Sequence, residues 1–152
     1  MTVTSDVTTP TLPRTWRPFG PRLAAPVFAL FLVGAFAWLW LSFDQQTRDA
    51  INVIERGTVI AIVGVGVALL YAMARSRVTV TEDGITLVNG YRRRDFAWAE
   101  IEKVRMPLGA PWPNLDLADG RTIPMLGIQG SDGGRAKTAV REVKALVAAH
   151  RP

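Results

Sequence analysis

The sequence predicts an α+β chain: a two-helix transmembrane hairpin, then a small antiparallel β-barrel or sandwich of six or seven strands, capped by one C-terminal amphipathic helix. Three observations predict it. Leu23 to Phe43 (LAAPVFALFLVGAFAWLWLSF) runs for about 20 residues without a charge, which covers the ~30 Å hydrocarbon core of a bilayer. Gly57 to Ala74 (GTVIAIVGVGVALLYAMA) just reaches the same span. From Arg77 the apolar period changes from helical to two, and a helical stripe returns only at the end of the chain.

These signals divide the chain into a disordered cytoplasmic arm (1–22), a first transmembrane helix (23–43), an external connector (44–56), a second transmembrane helix (57–74) and a soluble domain (77–150). The arm is rich in Thr and Pro and has almost no apolar periodicity. Near its end Arg14, Trp16, Arg17 and Arg22 suit the headgroup zone, and Arg56, Arg75 and Arg77 flank the second span in the same way. Ala35-Phe36-Ala37 matches a signal-peptidase site, but the apolar run continues past it and a second run follows, so an uncleaved anchor is expected.

In the connector, Ile51 and Ile54 lie at helical spacing, so the second helix is expected to begin early. So short a link makes the two helices antiparallel. Gly57, Ala61, Gly64 and Ala68 line one face of the second helix, and small residues let helices approach closely in lipid. That face is expected to meet the first helix through Ala25, Ala29 or Gly34, with a homo-oligomer through the same face as the alternative. Arginines before the first helix and directly after the second place both termini in the cytoplasm, in a two-pass protein of the cell membrane.

Within the soluble domain, Val78–Thr81 and Ile85–Val88 read as strands about an Asp83-Gly84 turn, and Asn89-Gly90 leads to a long strand from Tyr91 to Trp98. A fourth runs from Ile101 to Met106, with Ile101, Lys103 and Arg105 alternating against Glu102, Val104 and Met106. Pro107–Pro113 is a loop, because three prolines cannot sit within a ladder. Asn114–Ala118 and Arg121–Leu126 pair about Asp119-Gly120. Ala136, Ala139, Val140, Val143, Leu146 and Val147 then form the stripe of a last helix, with Ser131 or Asp132 as its N-cap.

Composition narrows the chemistry. The net charge is +5 and the pI near 10.4, which on a membrane chain reads as topology and attraction to anionic lipid rather than nucleic-acid binding. No cysteine is present, which removes disulfides and thiolate chemistry. The single histidine, His150, reads as a solvated helix-terminal residue. Gly127–Gly134 lacks the Lys-Ser/Thr of a P-loop, and Asp116 and Asp119 have no histidine partners and read as turn residues. No nucleophile, base and orienting group can be assembled, so no enzyme activity, cofactor or metal site is expected.

The stretch RVTVTEDGITLVNGYRRRDFAWAEIEKV, with its D-G and N-G turns and Trp98-Ala99-Glu100-Ile101, and the later LDLADGRTIPM, resembles the bacterial pleckstrin-homology-like domains of the low-molecular-weight protein antigen 6 type. The resemblance covers residues 75 to 150, and two preceding membrane helices also match that architecture. It implies a PH-like fold on the cytoplasmic side that acts as an interaction module, and brings no catalytic residues. In related eukaryotic domains the first hairpin loop is basic where it binds phosphoinositides; here Thr81-Glu82-Asp83-Gly84 is acidic.

Arg92, Arg93 and Arg94 are the sharpest polar feature. Arg92 and Arg94 share a face with Phe96 and Trp98, and Arg93 points away with Asp95. They read either as charges that block edge pairing or as contacts for anionic headgroups or an acidic partner. Trp98 reads as a packing anchor, with partner contact as its other role, and Glu100 can cap the local backbone. The expected function is a scaffold that recruits a protein partner at the membrane; the alternative is anionic-lipid sensing through Arg92, Arg93 and Arg94.

Overall fold

The computed structural model describes residues 11–150. The first apolar run forms α1 (Phe19–Ser42) and the second forms α3 (Val53–Arg75), with mean hydropathies of 2.1 and 2.2 and almost no burial. Both are long and apolar enough to cross a membrane. Between them lies a short helix, α2 (Gln45–Ala50), whose N-cap Asp44 accepts from the Thr47 N–H at 2.7 Å. Helix α3 begins four residues ahead of the expected Gly57. Asn52 accepts from the Ile54 and Glu55 amides while Glu55 accepts from the Asn52 amide, a complete capping box.

Helices α1 and α3 pack together, but not through the expected face. Gly57, Ala61, Gly64 and Ala68 are all exposed, and a Cβ on Gly57 or Gly64 would meet nothing within 4 Å. The partly covered side carries Val63, Gly66, Val67 and Leu70, all half-buried, and a Cβ on Gly66 would stand 3.0 Å from Leu32. On α1, Ala25 is buried and Ala29 half-buried, whereas Gly34 faces open space. Spacing defines a face but not which way that face is turned.

Among the described residues, seven antiparallel strands form two separate sheets rather than a closed barrel. The first holds, in order, β1 (Arg14–Trp16), β2 (Arg77–Val80), β3 (Gly84–Asn89) and β4 (Arg92–Ala97); the second holds β5 (Ile101–Arg105), β6 (Asn114–Leu117) and β7 (Thr122–Pro124). Strand β1 is a correction. It comes from the stretch read as a disordered arm and pairs with β2, Arg14 opposite Val80 and Trp16 opposite Val78. Four residues between Pro13 and Pro18 give no readable period, and residues 1–10 of that arm lie outside the described residues. The helical hairpin is therefore inserted between the first two strands of the sheet: Thr15 and Thr79, whose hydroxyls meet at 3.0 Å, are 64 positions apart.

Two local features also depart from expectation. Trp98–Glu100 is a 3-10 turn, closed by the Glu100 carboxylate on the Ala97 amide at 2.8 Å, so β4 ends before Trp98. A bulge between Ile101 and Lys103 resets the alternation, which buries Ile101 together with Val104 instead of on opposite faces. At Gly84 an added Cβ would lie 2.0 Å from the Phe96 carbonyl, so only glycine lets β3 and β4 close there.

The last helix, α4 (Gly134–His150), buries all six residues of its predicted stripe against Val78, Val80, Ile85, Leu87, Leu115 and Leu117. This is the core of the domain.

Candidate functional site

The residues that set this molecule apart lie where the two-sheet domain meets the two ends of the hairpin. At the far end α3 passes into β2 with only Ser76 between them. Ser76 is fully buried; its hydroxyl donates to the Ala72 carbonyl at 3.0 Å and accepts from the Gly90 amide at 3.0 Å. The β3–β4 turn is thereby seated on the helix. Tyr91 extends the contact, its hydroxyl donating to the Ala68 carbonyl at 2.7 Å, and the Arg75 guanidinium lies over both Tyr71 and Tyr91 at 5.7 and 5.4 Å. Asn89 ties the same turn to the second sheet, donating to the Pro124 carbonyl at 2.5 Å and accepting from the Leu126 amide at 3.1 Å.

At the near end the tie is made by side chains. Asp132, expected to cap its own helix, instead accepts from the Phe19 and Gly20 amides at 2.8 and 2.9 Å, and so caps α1. A carboxylate there satisfies two of the free N–H groups and opposes the positive end of the helix dipole. Arg135 lies over the Phe19 ring at 4.2 Å. Glu142 on α4 accepts from the Trp16 indole at 3.0 Å and from Arg14 at 3.1 Å, so these two predicted interface anchors are held by the domain rather than left to lipid.

Of the other expected anchors, Arg56 folds back onto the Ile51 and Arg48 carbonyls at 3.0 and 2.6 Å and lies over Trp40 at 5.2 Å. Arg77 is half-buried in β2. Arg17 and Arg22 are exposed beside the α1 N-terminus, where with Arg135 they line a cleft.

Strand β4 forms one edge of its sheet, with Arg92, Arg93 and Arg94 all exposed. Arg93 grips Asp95 at 3.0 Å, and that contact, helped by the Thr86 hydroxyl, holds the Asp95 carboxyl below its usual range. Arg92 and Arg94 make no ion pair among the described residues. Trp98 is half-buried against the core, its indole donates to the Glu82 carbonyl at 2.7 Å, and its ring stacks on His150 at 4.3 Å. His150 is therefore not simply solvated: its Nδ1 donates to the Leu146 carbonyl at 2.9 Å.

Asp116 also departs from its turn reading. It is buried, receives Arg105 through two nitrogens and accepts from Thr122 at 2.9 Å, and the arginine lowers its pKa despite burial. Asp119 does close its turn, accepting from the Arg121 amide at 3.0 Å. Among the described residues no group of His, Asp and Glu is placed to hold a metal ion.

Residues 75–145 match a family described as bacterial PH domain. An uncharacterized protein of Mycobacterium tuberculosis and one of Mycobacterium bovis are each 36% identical to this chain over 107 residues, covering 70% of it and 66% of their own length. The chain thus spans just under two thirds of these relatives. No solved structure matches it.

Proposed function

We propose that the chain, whose residues 75–145 match the bacterial PH domain family, is a membrane-anchored interaction module, holding an acidic protein partner at the cytoplasmic face of the membrane. The observation that carries this reading is the double attachment of the domain to its hairpin, through Ser76 at one end and Asp132 at the other. A domain fixed in this way presents the same face at all times. That face includes the open edge of β4 with Arg92, Arg93 and Arg94, where an acidic segment finds both unpaired backbone and guanidinium forks.

The pairing of β1 with β2 supports both hairpin ends lying on one side of the bilayer, and the flanking arginines favour the cytoplasm. The alternative is lipid sensing by the same three arginines. Tyr91, seated against α3, favours it by bringing Arg92 near the end of the span. Co-purification of the full chain in mild detergent tests the two. A stoichiometric partner lost in the Arg92→Glu/Arg94→Glu variant supports the scaffold. Headgroup-selective vesicle binding that Arg92→Ala/Arg94→Ala removes, without such a partner, supports the alternative. A reporter fused at the C-terminus that is active only outside the cell overturns the orientation.

A further inference from the structure

We infer that the cleft between β1, the first turn of α1 and the start of α4 is a headgroup site for one anionic glycerophospholipid. The inference rests on the reading that α1 and α3 cross a bilayer. The cleft has a volume of about 340 Å³. Three arginines line it from three different segments: Arg17 before α1, Arg22 on its first turn, and Arg135 on α4. All three are exposed, and none has an ion-pair partner among the described residues. The carboxylate in the cleft, Asp132, already accepts from the Phe19 and Gly20 amides, so it offsets one positive charge without occupying the arginines.

The arginines are positioned rather than merely nearby. Arg135 is held over the Phe19 ring at 4.2 Å, and Arg22 follows Phe19 by three residues, on the same side of the helix. Guanidinium forks match the oxygens of a phosphodiester. Beside them Trp16, Phe19, Ile128, Ala136 and Ala139 form an apolar wall, which suits a glycerol backbone and the first acyl methylenes. A free phosphate uses only the charged half of such a site. Depth points the same way: Phe19 opens an apolar span, so the cleft lies where a span meets the headgroups, and a lipid of that leaflet enters it sideways. The arginines of β4 have no comparable wall, for only Phe96 on that strand is buried.

Native mass spectrometry of the full chain, released from mild detergent after addition of phosphatidylglycerol or phosphatidylcholine with matched acyl chains, tests this site. The expected result is one phosphatidylglycerol retained per chain, with phosphatidylcholine retained about tenfold less and the Arg22→Ala/Arg135→Ala variant losing about tenfold. Arg92→Ala/Arg94→Ala should retain lipid as the parent does. Because Arg22 also flanks the span and Arg135 stacks on Phe19, Arg17→Ala serves as the cleaner variant: its side chain is exposed and makes no ion pair or ring contact among the described residues, so the change should lower retention with an unchanged unfolding temperature. Equal retention of the two lipids, or unchanged retention in Arg17→Ala, overturns the site. Displacement of the lipid by an equal concentration of inorganic phosphate overturns the lipid assignment. Carbonate extraction tests the underlying reading separately: a chain that stays in vesicles at high pH yet ignores headgroup charge defeats this site and leaves the anchor standing.

Discussion

The two ends of the hairpin solve one mechanical problem by different chemistry. Where α3 enters β2 the connection is covalent and nearly without slack, since the one residue between them, Ser76, spans only about 3.5 Å even when extended. Hydrogen bonds from Gly90, Tyr91 and Asn89 then stiffen it. Where α1 begins, the nearest part of the domain in sequence is a strand of three residues, so the joint depends on side chains reaching from α4 and the turn before it: Asp132, Arg135 and Glu142. A joint made by the backbone resists single substitutions. A joint made by side chains is released by one.

The comparison breaks most visibly at Asn89, which couples the covalent joint to the second sheet. Asn89→Ala removes two hydrogen bonds and leaves the Pro124 carbonyl and Leu126 amide without partners, a loss of about 2–3 kcal/mol that thermal unfolding of the full chain in detergent should register. Asp132→Ala comes next. Removal of the α1 cap should cost about 1–2 kcal/mol, with faster amide exchange at Phe19, Gly20 and β1 while the amides of β2 and β3 stay protected. Equal exposure at both ends would show that the two joints are not independent.

Between the ends, Gly66→Leu should wedge α1 from α3 at a cost of about 1 kcal/mol, whereas Gly64→Leu should be neutral, as read from cross-linking between cysteines placed on the two helices. The smallest effect is a control that belongs to neither end. The Asp116 carboxyl is held low by Arg105, so its contribution is complete above the ordinary aspartate pKa of about 3.9 and fades as the pH falls through the lowered value. With the arginine half-exposed this is worth under about 1 kcal/mol. Asp116→Asn should flatten that part of the acid unfolding curve and leave both joints intact.

What could be read from residues alone follows the range of the interactions involved. The apolar runs, the D-G and N-G turns and the α4 stripe are local patterns, and the elements they mark lie within a few residues of where the pattern puts them. Helix α3 showed its early start through Ile51 and Ile54. Asp132 illustrates the opposite case: a carboxylate just before a helix reads as that helix's cap, and only the folded chain brings Phe19 and Gly20 beneath it. Strand β1 is hidden for a related reason, since Arg14-Thr15-Trp16 is a strand only because β2 offers an edge. The Arg105–Asp116 pair crosses two strands whose register is shifted by the bulge after Ile101, which a strict alternation of two cannot foresee. Of the candidate contact residues, Arg92 and Arg94 stand as exposed as their position suggested, while Arg14 and Trp16 turned inward to a partner, Glu142, that lies over 120 positions away.

The insertion of the hairpin between β1 and β2 has a consequence for biosynthesis. At about 5–20 residues per second, β1 leaves the ribosome several seconds before the strand it must pair with. If α1 and α3 cross the bilayer, as proposed, both have to be threaded into it during that interval, and their antiparallel return is what delivers β2 to the waiting strand. On that reading insertion comes before completion of the first sheet, and a nascent chain that fails to insert is left with the edge of β2 bare, a ready target for quality-control proteases.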